Sequence, residues 1–285
     1  MQLTNRLNLP APILRAIHND KYDRGDSDIT VTELIGPAQI RHLKKKHAAE
    51  LTEDAADRVW SMLGSAMHSV LEDIAKGDPN LVAEKRLYVD MGVDETSVML
   101  GGQFDIYDRE LHELTDYKVT SVWNALGKQE WEEQLNVLAF LLAINNYGKP
   151  RSLRVIAILR DWQKRMANTG EYPRCQVVNI EVKQWPDGAA SEYIIKRLRE
   201  HLQDPPPPCT DEERWTEPAS FAVMKKNTKK AIRVFKSKEE ALEWAGDRME
   251  YSVFDRPAQY RRCEAYCPVA LHCPQWAAEL AKAPF

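Results

Sequence analysis

Between Leu81 and Val119 three strand-length runs, "LVAEKRLYVDM", "SVMLGGQFDIYDR" and "LHELTDYKV", follow one another with almost nothing between them. A parallel pair needs a crossover of about a dozen residues, so links this short, with a Gly-Gly pair beside them, point to an antiparallel meander. The clearest helical pattern precedes it, "LTEDAADRVWSMLGSAMHSVLEDIAKG". There Val59, Met62, Leu63, Ala66, Met67, Val70, Leu71 and Ile74 recur at the helical period, and Gly77 supplies a stop. After the meander come an amphipathic helix, "GKQEWEEQLNVLAFLLAINNYG", ending at Gly148, and the apolar run "RSLRVIAILRDW", which reads as a central strand. A further strand, "CQVVNIEVKQW", and a helix with a capping-type start, "DGAASEYIIKRLREHLQD", complete the series. Helix, three strands, helix, strand, strand, helix predicts an α/β domain, a mixed sheet flanked by helices.

The flanks divide the chain. Residues 1–30 read as an irregular segment, with polar punctuation in "HNDKYDRGDSD". A short helix starts near Thr32, whose hydroxyl can cap it, with Glu33 in the first turn. The core domain spans 31–204. "PPPPC" at 205–209 sets a boundary, and 205–285 forms a basic, cysteine-rich extension expected to pack on the core. No apolar run approaches the roughly 18 residues of a membrane helix, and the N-terminus lacks a secretory pattern, so a cytoplasmic protein with no membrane partner is expected. No GxxxxGK[ST] loop is present.

A net charge of −4 argues against general polyanion binding, but charge is locally uneven. Residues 225–238, "KKNTKKAIRVFKSK", hold seven basic side chains and no acidic one, and "RHLKKKH" begins at Arg41. Lys225, Lys226, Lys229 and Lys230 are candidate contacts to a nucleic-acid backbone; a solvated face is the plainer reading. Trp215 and Phe221 could stack on bases, although core packing suits them as well.

Asp105 closes one strand of the meander and Asp116 lies on the next, so a hairpin lets both carboxylates converge. Oxygen donors of this kind suit Mg²⁺ or Mn²⁺, and the Tyr117 carbonyl could add another. Strand alternation puts Lys118 on the same side as Asp116, where an ammonium could stabilise developing negative charge. Glu84 precedes them on the first strand. His68 lies beside the helical stripe, one turn after Gly64, and a neutral imidazole there could complete a metal shell. Taken singly, each residue has a plain role: an exposed ion pair, a core-edge histidine, a solvent-facing glutamate.

Together, His68 in "GSAMHSVLE", Glu84 in "AEKRLYV", Asp105 in "GGQFD", Asp116 and Lys118 in "TDYK" and Gln134 in "EEQLNVLAFLL" follow the order seen in RecB-like nucleases of the PD-(D/E)XK superfamily, which residues 30–145 resemble. The resemblance implies a restriction-endonuclease-like core and Mg²⁺- or Mn²⁺-dependent cleavage of DNA. It makes His68, Asp105 and Asp116 metal ligands, Lys118 catalytic, Glu84 a helper and Gln134 a member of the site. One position departs from the family: a tyrosine often stands four residues after the glutamine, and here that residue is Leu138.

Five cysteines remain. Cys263, Cys267 and Cys273 are spaced C-x3-C-x5-C, and Cys209 stands 53 intervening residues upstream. Four thiolates complete a shell for zinc or for a [4Fe–4S] cluster, and spacing alone does not separate the two. A remote cysteine with a tight C-terminal triplet resembles the iron–sulfur staple of AddB-type and CRISPR-associated RecB-like nucleases, which favours the cluster. In those relatives the lone cysteine precedes the nuclease core, whereas Cys209 follows it. Cys175, at the start of a strand, reads as a buried structural thiol. The segment "WTEPASFAVMKKNTKKAIRVFKSKEEALEW" is similar to stretches that follow the nuclease core in phage and prophage proteins. The expected protein is a DNA exonuclease of phage recombination or end processing, with DNA and a single-strand annealing protein or another recombination factor as partners. Rival readings are an idle nucleic-acid-binding module of the same fold and a zinc-stapled interaction protein.

Overall fold

The computed structural model describes residues 2–19, 23–125 and 127–282. The chain divides into two units, Met1–Pro207 and Pro208–Phe285. The first unit runs β1 (Gln2–Thr4), α1 (Ala11–Asn19), β2 (Ile29–Thr30), α2 (Val31–Ile35), α3 (Ala38–Lys46), β3 (Thr52–Asp54), α4 (Val59–Ala75), β4 (Leu81–Val93), β5 (Thr96–Asp108), β6 (Glu113–Thr120), α5 (Gln129–Ile144), β7 (Ser152–Leu159), β8 (Val177–Val182) and α6 (Ala189–Leu202).

The meander forms as the short links require. Strands β4 and β5 pair antiparallel from Leu81↔Asp108 to Val93↔Thr96, and β6 continues antiparallel on β5. The sheet then becomes mixed: β7 lies parallel to β6, β8 antiparallel to β7, and β2 parallel to β5. Strand β7 buries Leu153, Val155, Ala157 and Leu159 on alternate positions, which fits a strand bonded on both edges. Helix α5 packs across β4 to β8 through Trp131, Leu135, Leu138, Leu141 and Leu142, and stops at Ile144, short of Gly148. The result is a mixed α/β unit with helices flanking a mixed sheet.

Two irregularities in β5 prepare a site. Its pairing with β6 covers only Ile106↔Thr115, Tyr107↔Leu114 and Asp108↔Glu113, after which the two strands part. Its pairing with β4 skips Glu84 opposite Asp105, where Glu84 adopts a left-handed φ of 48°. Gly102 sits in between because a Cβ there would meet Leu138 Cδ2 at 2.8 Å and Val31 Cγ2 at 2.6 Å. Leu138, the family's usual tyrosine position, is thus core packing and 1% exposed.

Several expectations need correction. The first 30 residues are not irregular: β1 pairs in parallel with β3, some fifty positions away, and Thr4 Oγ1 and Arg6 N both donate to Asp54 Oδ2 at 2.8 Å. Such long-range pairing leaves no local signal; residues 20–22 lie outside the described residues. The cap of α2 is Thr30, not Thr32, in a capping box with Glu33. Helix α6 starts from Gly188 with no side-chain cap, because Asp187 pairs with Lys149 instead. Helix α4 turns its polar face, with Ser61, Ser65, His68, Ser69 and Glu72, to the cleft, and leaves Leu63, Val70 and Ile74 of its apolar stripe exposed. Cys175 is exposed before β8, not buried in it.

The second unit holds α7 (Asp211–Arg214), β9 (Thr216–Glu217), β10 (Ser220–Lys225), β11 (Ala231–Phe235), α8 (Lys238–Ala245), β12 (Tyr251–Arg256), β13 (Gln259–Tyr260) and α9 (Pro274–Leu280). Strands β11, β10 and β12 form an antiparallel sheet. Val223, Ala241 and Ala245 make its core with α8, and Phe221, Phe235, Trp244 and Tyr251 pack around them. Among the described residues no helix is long and apolar enough to cross a membrane.

Candidate functional site

Where β5 and β6 part, a cleft of about 700 Å³ opens. His68, Glu84, Asp105, Asp116, Tyr117, Lys118 and Gln134 all line it, so the first unit gathers every residue singled out there from sequence. The elements explain the gathering. Adjacent strands supply the carboxylates, α4 lays His68 over β4 and β5, and α5 brings Gln134 from across the sheet.

The carboxylates are held by specific bonds. The Tyr117 N–H donates to Asp105 Oδ2 at 2.6 Å, which diverts a backbone donor from the sheet. His68 Nδ1 lies 3.2 Å from Glu84 Oε1 and 3.4 Å from Asp105 Oδ1. Donating to Asp105 and then to Glu84 pushes the imidazole up to about 10, so it carries a proton at neutral pH. Glu84 Oε2 accepts from Gln103 Nε2 at 2.6 Å, while Gln103 Oε1 accepts from Arg86 Nη2 at 2.9 Å. Arginine can only donate, so this relay fixes which way the Gln103 amide points. A left-handed glutamate inside a strand costs about 1–2 kcal/mol, strain of the kind that gathers at functional sites.

Asp116 is 3% exposed. Burial pushes its carboxyl up to about 6, against the pull of Lys118. Lys118 Nζ lies 2.7 Å from Asp116 Oδ2 and donates to Oδ1 at 3.0 Å. Burial alone would lower the ammonium, but Asp116 and then Asp105 outweigh it and hold Lys118 above its ordinary value. Asp116 Oδ2 takes no directed hydrogen bond.

His68, Glu84 and Asp105 bring one ligand atom each within 4.8 Å of the others, so this trio could hold a divalent cation. Asp116 stands outside the trio because its carboxylate is turned to Lys118. The donor set, carboxylate oxygens with one imidazole, fits Mg²⁺ or Mn²⁺. Sequence reasoning missed Gln103, Arg86, Arg58 and the serines of α4, which line the same cleft. The four-residue spacing of Ser61, Ser65 and Ser69 was the available signal. At the rim, the exposed Trp60 ring stacks on the Arg160 guanidinium, 4.4 Å from its centroid.

In the second unit the four cysteines are drawn together by local bonds. Cys209 N donates to Gln275 Oε1 and Gln275 Nε2 donates back to the Cys209 carbonyl, both at 2.9 Å. That clamp ties Cys209 to the start of α9, where Cys273 caps the helix by accepting from Trp276 N. Cys263 sits in a helical turn over Arg262–Tyr266, and Cys267 follows it directly. Burial, then Glu213 and the thiols of Cys273, Cys267 and Cys263, push the Cys209 thiol up to about 12. Among the described residues, no three of these sulfurs lie within 4.8 Å of one another. Lys225, Lys226, Lys229 and Lys230 are exposed at the β10–β11 hairpin, with Lys225 paired to Glu250 at 3.1 Å. Trp215 is half-exposed and packs beside Tyr266, while Phe221 belongs to the core.

No protein-family model matches the chain, and no curated protein matches it. Among solved structures it is similar to SSO0001, known from a crystal structure, with a TM-score of 0.53 and 14% identity over 92% of this chain and 94% of that one. At that identity the likeness is one of fold, and it agrees with a mixed α/β architecture.

Proposed function

We propose that the cleft is the active site of a divalent-metal-dependent deoxyribonuclease, RecB-like in the PD-(D/E)XK sense and built on a restriction-endonuclease-like core, acting on DNA ends in phage or prophage recombination. One observation carries this reading: His68, Glu84, Asp105, Asp116, Tyr117, Lys118 and Gln134, chosen by motif order, line a single cleft. A bound Mg²⁺ or Mn²⁺ would lower the pKa of a water and offset charge on the phosphate. Glu84 and Asp105 hold the cation side of the cleft. His68 Nδ1 shares its proton between those carboxylates and must release it before the imidazole can act as a ligand. Asp116 fixes Lys118, whose ammonium stabilises the negative charge that develops at phosphorus. Gln134 and the α4 serines offer neutral hydrogen bonds to a phosphodiester backbone. DNA is the partner, and a cytoplasmic setting suits this activity.

In the second unit we propose that Cys209, Cys263, Cys267 and Cys273 hold a [4Fe–4S] cluster, with zinc as the alternative, because a remote cysteine and a tight C-terminal triplet resemble the iron–sulfur staple of RecB-like nucleases. Its role there is to close the chain between residue 209 and the C-terminal triplet.

The test is incubation of end-labelled single- and double-stranded DNA with the purified protein in Mg²⁺, in Mn²⁺ and in EDTA, beside Lys118→Ala. Metal-dependent release of label by the wild type alone supports the reading. Equal release by the variant, or none by either, removes it.

A further inference from the structure

Arg214 is the most deeply buried arginine among the described residues, at 5% exposed, and it stands five positions after Cys209 at the end of α7. Its guanidinium carbon lies 3.6 Å from the centroid of the Tyr260 ring. Nη1 reaches Glu279 Oε1 at 3.5 Å, well beyond the usual length of about 2.8 Å for a charge-assisted bond. Nε and Nη2 are buried and meet no acceptor of hydrogen-bonding geometry. Beyond Glu279, the nearby groups acting on this guanidinium are the Cys263 sulfur, which lies in interaction range, and the Tyr260 hydroxyl. The other nearby arginine, Arg262, donates to the Glu213 carbonyl at 3.0 Å, stacks on Trp215 and bears electrostatically on Cys267, whereas Arg214 faces Cys263.

Four thiolates packed together concentrate negative charge, and a buried guanidinium within interaction range of one of the sulfurs is the counter-charge such a centre needs. We propose that Arg214 is the counter-cation of the Cys209, Cys263, Cys267 and Cys273 centre, donating toward the Cys263 sulfur and raising the reduction potential of the iron–sulfur cluster held there. This rests on the cluster reading given under Proposed function. Reduction adds one electron to an already anionic centre, so a fixed positive charge and an N–H···S contact favour the reduced form. Arg214 therefore acts through the ligand sulfur, as a positioning residue for charge, and keeps the centre within reach of mild reductants.

The test is an anaerobic redox titration of the full chain, followed by absorption, with iron, sulfide and zinc measured on the same samples. Wild type, Arg214→Gln and Arg214→Lys are compared. At the wild-type midpoint, Arg214→Gln is expected to show at least a tenfold lower ratio of reduced to oxidised cluster, equal to 59 mV for a one-electron couple. Arg214→Lys, which keeps the charge, is expected to stay within threefold. Loss of the cluster from Arg214→Gln alone, with Arg214→Lys loaded, also supports a requirement for charge. Loaded variants that titrate with the wild type overturn the proposal while leaving the cluster in place. Loss of iron from both variants overturns it too, because the arginine would then be a fold anchor. Wild type carrying zinc and no iron removes the cluster reading itself, and the proposal with it.

Discussion

Lys118→Met separates what the lysine does for the fold from what it does for chemistry. Methionine keeps the apolar stem and removes the charge that faces Asp116 at 2.7 Å. The folded value of Asp116 stands at about 6 against an ordinary 3.8, raised by burial. A carboxyl with a raised folded value favours the native state when protonated. Its contribution is whole below pH 3.8 and is lost as pH rises through about 6, at about 1.4 kcal/mol per pH unit. Removing Lys118 takes away the main influence holding that value down, so in the variant the loss continues above pH 6. Wild type and variant should therefore unfold alike at pH 5 and diverge by about 3 kcal/mol at pH 8, the low end for breaking a buried pair. Adding Asp116→Asn to Lys118→Met removes the buried charge and should restore most of that stability. Urea unfolding in EDTA at pH 5 and pH 8, followed by circular dichroism, measures all three proteins. An equal loss at both pH values, or none at pH 8, would refute the reasoning.

Three further outcomes are expected. Glu84→Gly relieves the left-handed backbone but deletes the acceptor of His68 and Gln103, so it should exceed Glu84→Gln by no more than about 1 kcal/mol of relieved strain in thermal unfolding, while metal-dependent DNA cleavage falls more than tenfold. Gly102→Ala drives a methyl against Leu138 and Val31 and should lower stability by about 1–3 kcal/mol, read from the urea midpoint. His68 is held up to about 10 from 6.5, so its stabilising contribution in metal-free protein is whole below pH 6.5 and lost as pH rises toward 10. Wild type should weaken across that window where His68→Gln does not, and Mn²⁺ binding at pH 7 should release a proton, visible as a buffer-dependent heat in calorimetry.

The meander was legible because short links leave antiparallel pairing as the simple solution, and Asp105, Asp116 and Lys118 follow from strand alternation once that register is set. The cleft-facing histidine was legible through motif order, but the orientation of its helix was not. The apolar stripe of α4 suggested a buried face, whereas the polar face with His68 turns inward because the site needs it there. The β1–β3 pair joins residues some fifty positions apart, and nothing local announces it. Gln103 went unread because an amide in a strand looks ordinary until Arg86 and Glu84 bracket it. The Cys209–Gln275 clamp is likewise a tertiary fact, although the cysteine spacing had marked both ends of the chain that it joins.

The measurement that bears most directly on the cleft is Mn²⁺-dependent cleavage of end-labelled DNA at pH 8 by wild type, Lys118→Met and the Lys118→Met/Asp116→Asn double variant, run beside their unfolding curves. Expected is cleavage by the wild type that EDTA abolishes, and none by the double variant although most of its stability is restored. Cleavage by that stable double variant, or cleavage that survives EDTA, would contradict a metal-dependent site built on Asp116 and Lys118.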